Sequence, residues 1–495
     1  MSVSNPVRAR AEQARAAGQE IVAVIGLGFV GTAVAANLAR ARGKNGEVLF
    51  HVIGIERDDE PGRAKAQALA RGEPPVYAND PKLAEAIAEA GQKTRNLDGC
   101  VELAQVACAD VVVSCINLDL VRPAGRADEL SVPHQGYAAA MREIGKHLKS
   151  GAIVCIESTL PLGLSDRVLY PALCEGAALA GRNLLQDPPL YAYCYERVMP
   201  GPGYLDSVNH FWRSYAGIDA RSADRAQAFL SKYVDVARFP LWRHKTLRAA
   251  EMAKLLENAY RATNIAFIDE WTRLAENAGV DLFDIVNSVR VRKGTHDNMM
   301  FPGLGVGGYC LTKDALLAAW GAEELLELDA ALPFSRMALL TNERMPLRAR
   351  DWIAEHFQNR LEQKTVAIFG LTYRAGVADT RSSPSEVLAR GLLERGARVR
   401  GCDPLLSEWP ECPAAQLVAD ARAALEGADA VVVSLPDAYW KERLPTLLRE
   451  LATPPSIVVD PWNVLGDVCY GELIRRGVRV RVYGRGDIPK PVKKP

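Results

Sequence analysis

The sequence predicts an α/β protein in which two doubly wound parallel sheets are joined by a long central helix and a helical core domain. Short apolar runs alternate with helical segments near both ends of the chain, and a long helical pattern without glycine or proline separates these two regions. Alternation of this kind is typical of buried parallel strands with crossover helices. Because 495 residues suit two or three domains, we predict domains at 1–215, 216–345 and 346–495.

The composition excludes several classes of partner. Sixty basic and 60 acidic residues cancel, so we expect no field that would attract nucleic acid or an anionic membrane. The ten cysteines form no CxxC pair and the seven histidines no HExxH, so we expect reduced thiols and no metal site. No apolar run reaches membrane-spanning length and residues 1–19 lack the apolar stretch of a secretory signal, so we expect a cytoplasmic protein.

The first alternating region begins with a glycine-rich turn in a specific setting. The apolar run 21–25 leads directly into Gly26-Leu-Gly28-Phe29-Val30-Gly31, and residues 32–40 have a helical pattern. In such a GxGxxG turn the first glycine allows the bend, the second lets a pyrophosphate approach, and the third lets the helix pack on the strand. We therefore predict a Rossmann-like dinucleotide site at this turn, and a purely structural turn is the alternative.

An acidic residue follows the second predicted strand, 50–55. Glu56 can accept hydrogen bonds from both ribose hydroxyls and would repel a 2′-phosphate, which favours NAD. Arg57 beside it weakens the exclusion of NADP. An ordinary surface acid at a strand end is the alternative interpretation of Glu56.

Polar residues also follow the later strands of this region, predicted at 111–116 and 152–156, with a polar loop at 122–129 between them. Thr159 could hold a water or a cofactor group at the carboxyl end of the sheet, or could simply cap its turn. Glu196 lies in the aromatic segment 191–201, and the pattern favours a local ion pair with Arg197 over a placed catalytic acid.

The central helix is predicted over 247–278 and ends at Gly279, as a glycine after a helix often does. Roughly thirty residues give a rod about 45 Å long, which suits a spine between domains or a dimer interface. Lys254 and Asn258 are four residues apart and project together. By pattern alone, a solvated polar face remains the more favoured interpretation of these two residues.

A second glycine-rich stretch, 301–309, leads into Cys310. If a helix begins near Leu311, its dipole lowers the pKa of the thiol, and Asp314 lies one turn away. A thiolate beside a carboxylate can attack a carbonyl and activate water. A buried, inert cysteine is the equally favoured alternative.

The second alternating region has strands predicted at 364–369, 398–402, 430–434 and 456–460, and a helix at 384–395. It lacks the three-glycine turn, so we expect a different ligand. Arg374 and Arg381 precede the predicted helix and suit a pyrophosphate. The alternative is a capped loop with a salt bridge. Residues 490–495 are predicted to be a disordered tail.

Taken together, these motifs resemble the nucleotide-sugar 6-dehydrogenases, the family of UDP-glucose, GDP-mannose and UDP-N-acetylmannosamine dehydrogenases. The resemblance covers residues 20–485. It rests on four motifs, which are Gly26-x-Gly28-x-x-Gly31, Glu251-Met-Ala-Lys254-Leu-Leu-Glu-Asn258, Gly305-x-Gly307-Gly308-x-Cys310 to Asp314, and Phe369-Gly370-Leu-Thr-Tyr373-Arg374 to Asp379-x-Arg381-x-Ser383-Pro384.

The resemblance implies an NAD domain at 1–215, a dimerising helical core at 216–345 and a nucleotide-sugar domain at 346–495. It implies a four-electron oxidation of the sugar C6 hydroxyl to a carboxylate with two NAD. Cys310 would form a thiohemiacetal and then a thioester, and water would hydrolyse the thioester.

The family's other residues map onto this chain one by one. Asp314 and a water held by Thr159 would handle protons, Lys254 would stabilise the oxyanion, and Asn258 would orient the C6 oxygen. Glu196 would assist proton transfer or position the water. The resemblance implies cofactor contacts from the glycine motif, Glu56, Arg57, Thr159 and Arg381. It implies substrate contacts from Glu196, Arg197, Val198, Lys254, Asn258, Gly307, Gly308, Tyr373 and Arg374.

Departures from the family pattern affect the choice of substrate. The run 196–201 is more similar to the branch that oxidises UDP-N-acetylhexosamines, although Tyr309 stands where that branch commonly has His. We therefore rank UDP-N-acetylmannosamine or a related sugar first, UDP-glucose second and GDP-mannose third. A non-catalytic nucleotide-sugar-binding protein and a two-electron dehydrogenase are the rivals. Asn117-Leu118 replaces the usual Thr-Pro, and contacts of Arg290, Arg292 and Lys293 with UDP stay open.

Overall fold

The computed structural model describes residues 6–121, 130–199, 201 and 203–489. The predicted polar loop, Pro200 and the predicted C-terminal tail therefore lie outside the described residues. The chain divides into two compact units, Met1–Leu256 with Leu316–Ala331 and Glu257–Ala315 with Leu332–Pro495. The three-domain boundaries stay a prediction.

The first unit contains an eight-stranded sheet in the order β3-β2-β1-β4-β5-β6-β7-β8. Its pairs are parallel except for the antiparallel pair β6 and β7. The sheet reverses direction of winding between β1 and β4, and a crevice at the carboxyl ends of these strands is where doubly wound folds bind ligands. Its strands are β1 (Glu20–Ile25), β2 (Phe50–Ile55), β3 (Leu97–Cys100), β4 (Val111–Ser114), β5 (Ile153–Ile156), β6 (Leu190–Tyr193), β7 (Ser214–Gly217) and β8 (Trp242–Arg243).

Helices cover both faces of this sheet. Strand β1 shows the pattern, because Ile21 and Ala23 pack with residues of α5 and α6 while Val22 and Val24 pack with residues of α2. Because both faces of such a strand are buried, its sequence does not alternate between apolar and polar residues. This explains the continuous apolar run of β1. The helices are α1 (Pro6–Ala16), α2 (Phe29–Arg40), α3 (Glu60–Ala70), α4 (Pro81–Ala88), α5 (Gln135–His147), α6 (Tyr170–Leu179) and α7 (Ala220–Leu230).

The second unit contains a six-stranded, fully parallel sheet in the order β11-β10-β9-β12-β13-β14. When the strands are numbered by their order along the chain within this sheet, the arrangement is the same as that of the first six strands of the eight-stranded sheet. The predicted fold class is therefore confirmed. Its strands are β9 (Thr365–Phe369), β10 (Arg398–Cys402), β11 (Gln416–Leu417), β12 (Ala430–Val433), β13 (Ile457–Asp460) and β14 (Arg479–Val482). Its helices are α9 (Leu282–Arg290), α11 (Pro333–His356), α12 (Pro384–Leu393), α13 (Ala421–Leu425), α14 (Ala438–Glu450) and α15 (Gly466–Arg475).

Two helices contribute residues to both units, α8 (Leu247–Ala278) and α10 (Asp314–Leu326). Helix α8 has the predicted bounds, and Gly279 after it adopts a φ of 74°, which glycine reaches without steric cost. Across the described ranges, no helix combines the length and the apolar character that crossing a membrane requires.

The predicted helix start near Leu311 is wrong, because α10 begins at Asp314. The backbone N–H groups of Lys313 and Asp314 both donate to the carbonyl of Cys310, at 3.2 Å and 3.0 Å. These bonds form a turn over residues 311–313 that precedes the regular helix. Cys310 is therefore the residue whose carbonyl receives the helix's first i to i+4 bond.

Candidate active site

The first glycine-rich turn has the geometry of a phosphate cradle. A Cβ on Gly26, whose φ is 89°, would lie 2.9 Å from the carbonyl oxygen of Cys115, and a Cβ on Gly31 would lie 1.8 Å from the oxygen of Gly26. Gly28 is the N-cap residue of α2 and a Cβ there would meet no atom within 4 Å. The backbone is thus crowded where the turn packs and open where the helix N-terminus can face an anion.

A cavity of about 680 Å³ extends from this turn across the carboxyl ends of β1, β2 and β4. This volume lies within the usual range for small-molecule and cofactor sites. Glu56 lines it, with Oε1 accepting from the Leu27 N–H at 2.7 Å and Oε2 from the Arg57 N–H at 3.1 Å. Asn117 and Leu118 also line it. The crowded turn, the open helix end and the acid together fit a dinucleotide.

The first turn of α2 is fixed by aromatic packing. The ring of Phe29 meets that of Tyr204 edge to face, with centroids 6.3 Å apart, and the Tyr204 hydroxyl donates to the Phe29 carbonyl. Val30 is half-buried against the core of the same sheet. Phe29 and Val30, two residues of the glycine motif, therefore stabilise the N-terminal end of α2. Their contact with a cofactor stays a prediction.

A chain of hydroxyls that the sequence did not predict lies beside the same cavity. The Tyr137 hydroxyl, on α5, is 2.7 Å from Ser114 Oγ and 3.4 Å from Ser158 Oγ, and Ser158 donates to the Ile116 carbonyl at 2.6 Å. Tyr137 lines the cavity and is buried, and burial raises the pKa of its phenol well above the usual range. These hydrogen-bonded hydroxyls connect the carboxyl ends of β4 and β5 just before Thr159. Thr159 itself is half-buried.

A buried ion pair follows β5. Arg213 Nη2 lies 2.7 Å from Glu157 Oε1, with the side chains 2% and 0% exposed. The Tyr233 hydroxyl accepts from Arg213 at 2.9 Å. Burial raises the pKa of the Glu157 carboxyl, and the nearby guanidinium opposes that effect. Glu157 and Arg213 are far apart in the sequence, so no local pattern indicated that the two charges would be buried together.

The ionic partner of Glu196 is Lys254. Lys254 Nζ donates to the Glu196 carbonyl at 2.8 Å and lies 3.7 Å from Glu196 Oε1, and both side chains are about nine-tenths buried. The Val198 N–H donates to the Glu196 carboxylate. The Arg197 guanidinium donates to the Trp212 carbonyl and to the Tyr195 hydroxyl.

These contacts contradict the predicted ion pair between Glu196 and Arg197. The pattern favoured an ion pair with the adjacent Arg197, but the structure gives the carboxylate a lysine from α8, 58 residues away. The reason is that β6 ends at Tyr193 and the segment after it passes along α8, which brings the lysine to the acid.

Glu251, one turn before Lys254, ties the loop after β5 to α8. Its carboxylate accepts from the Gly163 N–H at 2.7 Å and from the Ser165 N–H at 2.9 Å. Burial raises the pKa of this carboxyl to about 7, and the two backbone donors partly offset the rise. Thr159 lies earlier in the segment that follows β5.

In the second unit, the cysteine loop is held by close packing against the C-terminal sheet's loops. A Cβ on Gly307 would lie 2.6 Å from the Ser382 carbonyl oxygen and 2.8 Å from Tyr373 Cβ. A Cβ on Gly308, whose φ is 79°, would lie 3.0 Å from the Tyr373 ring. Asn342, on α11, accepts from the Val306 N–H and donates to the Val306 carbonyl, both at 2.8 Å. The sequence did not single out Asn342.

This packing holds Cys310, which is half-buried, in the turn that precedes Asp314. Asp314 is 1% exposed and its Oδ2 accepts from Asn258 Nδ2 at 2.6 Å. Lys313 Nζ lies 3.9 Å from Asp314 Oδ1. Asn258 of α8 and Asp314 of α10, which the resemblance places in the same active site, are therefore brought together within this unit.

The two predicted arginines have different surroundings. Arg381 forms a two-pronged ion pair with Asp379, 2.6 Å at its shortest, and its guanidinium lies 5.1 Å from the centre of the Tyr309 ring. Ser383 caps α12 through its side chain. The capped loop with a salt bridge is thus present, and Arg374 is exposed on the same loop.

The remaining candidate residues are three charged side chains near the end of α9 and the side-chain types that can bind metals. Arg290 lies over the Phe301 ring at 4.9 Å, while Arg292 and Lys293 are exposed. Their contact with UDP stays open. Over the part of the chain that the structure describes, no three His, Cys, Asp or Glu side chains are grouped as metal ligands would be. The ten cysteines, all described, are present as thiols.

Comparison with known protein families shows which family contains this glycine-rich turn and this cysteine loop. Residues 20–210 match the NAD binding domain of the UDP-glucose/GDP-mannose dehydrogenase family, residues 248–344 its central domain and residues 367–467 its UDP binding domain. The chain belongs to this family. It is an NAD-dependent nucleotide-sugar dehydrogenase, so the predicted family, enzyme class and cofactor are confirmed.

Individual relatives agree with this assignment. The chain is similar to a UDP-N-acetyl-D-mannosamine dehydrogenase of Methanocaldococcus jannaschii, with 29% identity over 76% of this chain and 80% of that protein. It is similar to a UDP-glucose 6-dehydrogenase of Pseudomonas aeruginosa, with 29% identity over 91% of this chain and 95% of that protein. A solved UDP-glucose dehydrogenase of Pyrobaculum islandicum shares 25% identity and a TM-score of 0.77, covering 94% of this chain and 98% of that one.

Proposed function

We propose that this protein oxidises the C6 hydroxyl of a UDP-sugar to a carboxylate in two NAD-dependent steps, with Cys310 as the nucleophile. The observation that carries this proposal is the cysteine turn. Cys310 lies between a glycine loop that packs on Tyr373 and the first turn of α10, where Asp314 is bonded to Asn258. The turn and the segment that matches the UDP binding domain belong to the same unit.

The chemistry balances with two molecules of NAD, each of which accepts one hydride. The first oxidation removes a hydride and a proton from the C6 alcohol and yields an aldehyde. The Cys310 thiolate adds to this aldehyde to form a thiohemiacetal, whose C6 hydride is lost in the second oxidation. Water then hydrolyses the resulting thioester, which releases the carboxylate and regenerates the thiol.

The remaining roles follow from charge and position. Lys254 stabilises the oxyanion that develops at C6, as a cation in a buried site can, and Asn258 orients the C6 oxygen. Asp314 and a water held by Thr159 move protons. Glu196, which is ion-paired with Lys254, assists this water.

We assign further residues to binding of the substrate and of the cofactor. We assign Arg197, Val198, Gly307, Gly308, Tyr373 and Arg374 to the substrate. We assign the glycine motif, Glu56, Arg57 and Arg381 to the cofactor. Arg381 has a guanidinium already organised by Asp379 and Tyr309, which lowers the entropic cost of binding an anion.

We propose UDP-N-acetylmannosamine or a related UDP-N-acetylhexosamine as the substrate. The relatives named for UDP-N-acetyl-D-mannosamine and the run from Glu196 to Gly201 support this choice. UDP-glucose is the second candidate, because one relative of similar identity is named for it. GDP-mannose ranks third, and a non-catalytic nucleotide-sugar-binding protein is the alternative of another class. A reactive cysteine needs a reducing compartment, which supports the cytoplasm.

The test counts NADH released per sugar consumed. We expect two NADH per sugar with the wild type, and Cys310→Ala should abolish acid formation while NADH still binds. Cys174→Ala, a half-buried thiol on α6, is the matched control and should behave as wild type. A panel of UDP- and GDP-sugars in the same assay identifies the substrate.

Three outcomes would contradict the proposal. One NADH per sugar indicates a two-electron dehydrogenase, and no NADH from any nucleotide-sugar indicates a binding protein. If the Cys310→Ala variant forms the acid at the normal rate, the thiol is not the nucleophile of the reaction.

We also propose a homodimer formed through α8. Six large apolar residues are exposed along one stripe of this helix, at steps of four, four, seven, four and three residues, and such an exposed stripe marks an interaction surface. They are Met252, Leu256, Tyr260, Phe267, Trp271 and Leu274, with 46% to 65% of each exposed.

A further inference from the structure

The reversed strand β7 brings a buried arginine to the carboxyl ends of β5 and β6. Because β7 is antiparallel to β6, the residue just before it, Arg213, lies at that end of the sheet rather than at the amino end. The register pairs Tyr193 with Ala216, and continuing it by three residues would place Arg213 opposite Glu196.

Arg213 connects the segments that follow β5 and β6 where the backbone hydrogen bonds between them end. Among the described residues, the last such bond runs from the Cys194 N–H to the Ile156 carbonyl, at 2.8 Å. Beyond it, Arg213 Nη2 lies 2.7 Å from Glu157 Oε1 and donates to the Cys194 carbonyl at 3.0 Å. One guanidinium nitrogen therefore contacts both segments.

Stability alone does not account for this buried pair. Glu157 Oε2 and Arg213 Nε are both buried, and neither has a hydrogen-bond partner within the described ranges. Each unpaired polar atom costs free energy, and a buried ion pair often adds no net stability relative to apolar residues of similar volume. A role in placing the adjoining segments explains the pair better.

We propose that Arg213 is a positioning residue that fixes the separation of Thr159 and Glu196. Thr159 follows Glu157 by two residues, and Glu196 follows Cys194 by two residues. The arginine thus holds the segments of both groups at a defined distance from each other. The inference rests on the proposed function, in which these two groups hold and assist the water.

A triple variant, Glu157→Met with Arg213→Met and Tyr233→Phe, tests the inference. It removes both charges and the hydroxyl that bonds to them, so no charge of the pair stays buried without a partner. We expect a melting temperature close to that of the wild type and NADH affinity within about threefold. Turnover should fall about tenfold to a hundredfold, because small displacements of reacting groups slow catalysis strongly.

Hydrogen–deuterium exchange of the protein without sugar gives a measurement that does not depend on activity. Backbone amides of residues 157–161 and 194–199 should exchange about tenfold faster in the triple variant, because the tie between their segments is lost. Turnover is measured with the UDP-sugar of the panel that yields the most NADH.

The matched control is Arg182→Met with Asp187→Asn. Arg182 also binds a carboxylate and backbone carbonyls, namely Asp187 at 2.7 Å, Lys149 at 3.1 Å and Leu148 at 3.4 Å. It does so beyond α5 and α6, near the amino ends of β5 and β6. This variant should lose some stability and keep wild-type turnover.

Four results would overturn the inference. They are an unfolded triple variant, wild-type turnover by that variant, unchanged exchange in both segments, and an equal loss of turnover in the control. If the wild type releases no NADH from any sugar, the proposed function fails, and the exchange measurement still decides whether Arg213 holds the two segments.

Discussion

Single glycines in the cysteine loop show why the motif needs residues without a side chain. At Gly307 the obstacle is contact rather than conformation, because the neighbouring atoms of Ser382 and Tyr373 leave no space for a Cβ. At Gly308 both the positive φ and the Tyr373 ring exclude larger residues. The loop can thus approach the C-terminal sheet's first loop closely, which determines where Cys310 lies.

Gly307→Ala should therefore displace the cysteine loop. Since the added methyl would overlap backbone as well as side chain, we expect a loss of about 1–3 kcal/mol in stability, and a fall in acid formation with unchanged NADH binding. Melting temperature, turnover and NADH titration measure these three effects.

The control is Gly471→Ala in helix α15 of the same unit, where a Cβ would meet no atom within 4 Å. It should be neutral or slightly stabilising, because alanine favours helix more than glycine does. A Gly307→Ala enzyme with wild-type turnover would show that the close approach does not position the thiol.

At the scale of elements, Glu251 connects helix α8 to the loop after β5. The folded protein raises the pKa of this carboxyl from 4.5 to about 7 through burial. Below about pH 4.5 the group is protonated in both folded and unfolded chains. Between pH 4.5 and 7 the unfolded chain releases the proton and the folded chain retains it, so stability falls as pH rises and reaches a constant, lower value above pH 7.

We expect the stability of the wild type to fall, relative to Glu251→Gln, by about 3 kcal/mol in total between pH 4.5 and 8. Melting temperatures of both proteins at half-unit pH steps measure this difference. Glu270→Gln changes an exposed carboxyl of the same helix and should show no such pH dependence relative to wild type. Parallel curves for wild type and Glu251→Gln would contradict the assignment.

On the scale of the whole molecule, the exposed stripe of α8 predicts a second copy of the chain as its partner. A double charge substitution, Leu256→Glu with Trp271→Glu, should produce monomers, because two buried, unpaired carboxylates would cost several kcal/mol at an interface. Sedimentation velocity measures the mass.

Arg261→Glu changes the charge of another exposed residue of α8, on a different side of the helix, and should leave the mass unchanged. A wild type that sediments as a monomer, or a doubly substituted variant that remains dimeric, would exclude this interface.

Much of the fold could be predicted because it depends on local patterns. The bounds of β2, β10 and α8 agree with the prediction, since each is limited by a change in hydrophobic pattern or by a glycine. Strand β3 (Leu97–Cys100) and helix α11 were not predicted. The strand is short and includes Asp98 and Gly99, and the helix continues through Pro346, a residue that usually argues against a helix.

The sequence by itself determined the two sheets, the phosphate cradle, the long helix and the family, because periodic burial and glycine spacing are properties of neighbouring residues. Only the tertiary structure decided which groups meet. It paired Glu196 with Lys254 rather than with Arg197, and it brought Asn342 of α11 against the cysteine loop. The physical reason is that periodicity specifies which face of an element is buried, whereas a hydrogen bond or ion pair between distant residues depends on how those faces pack.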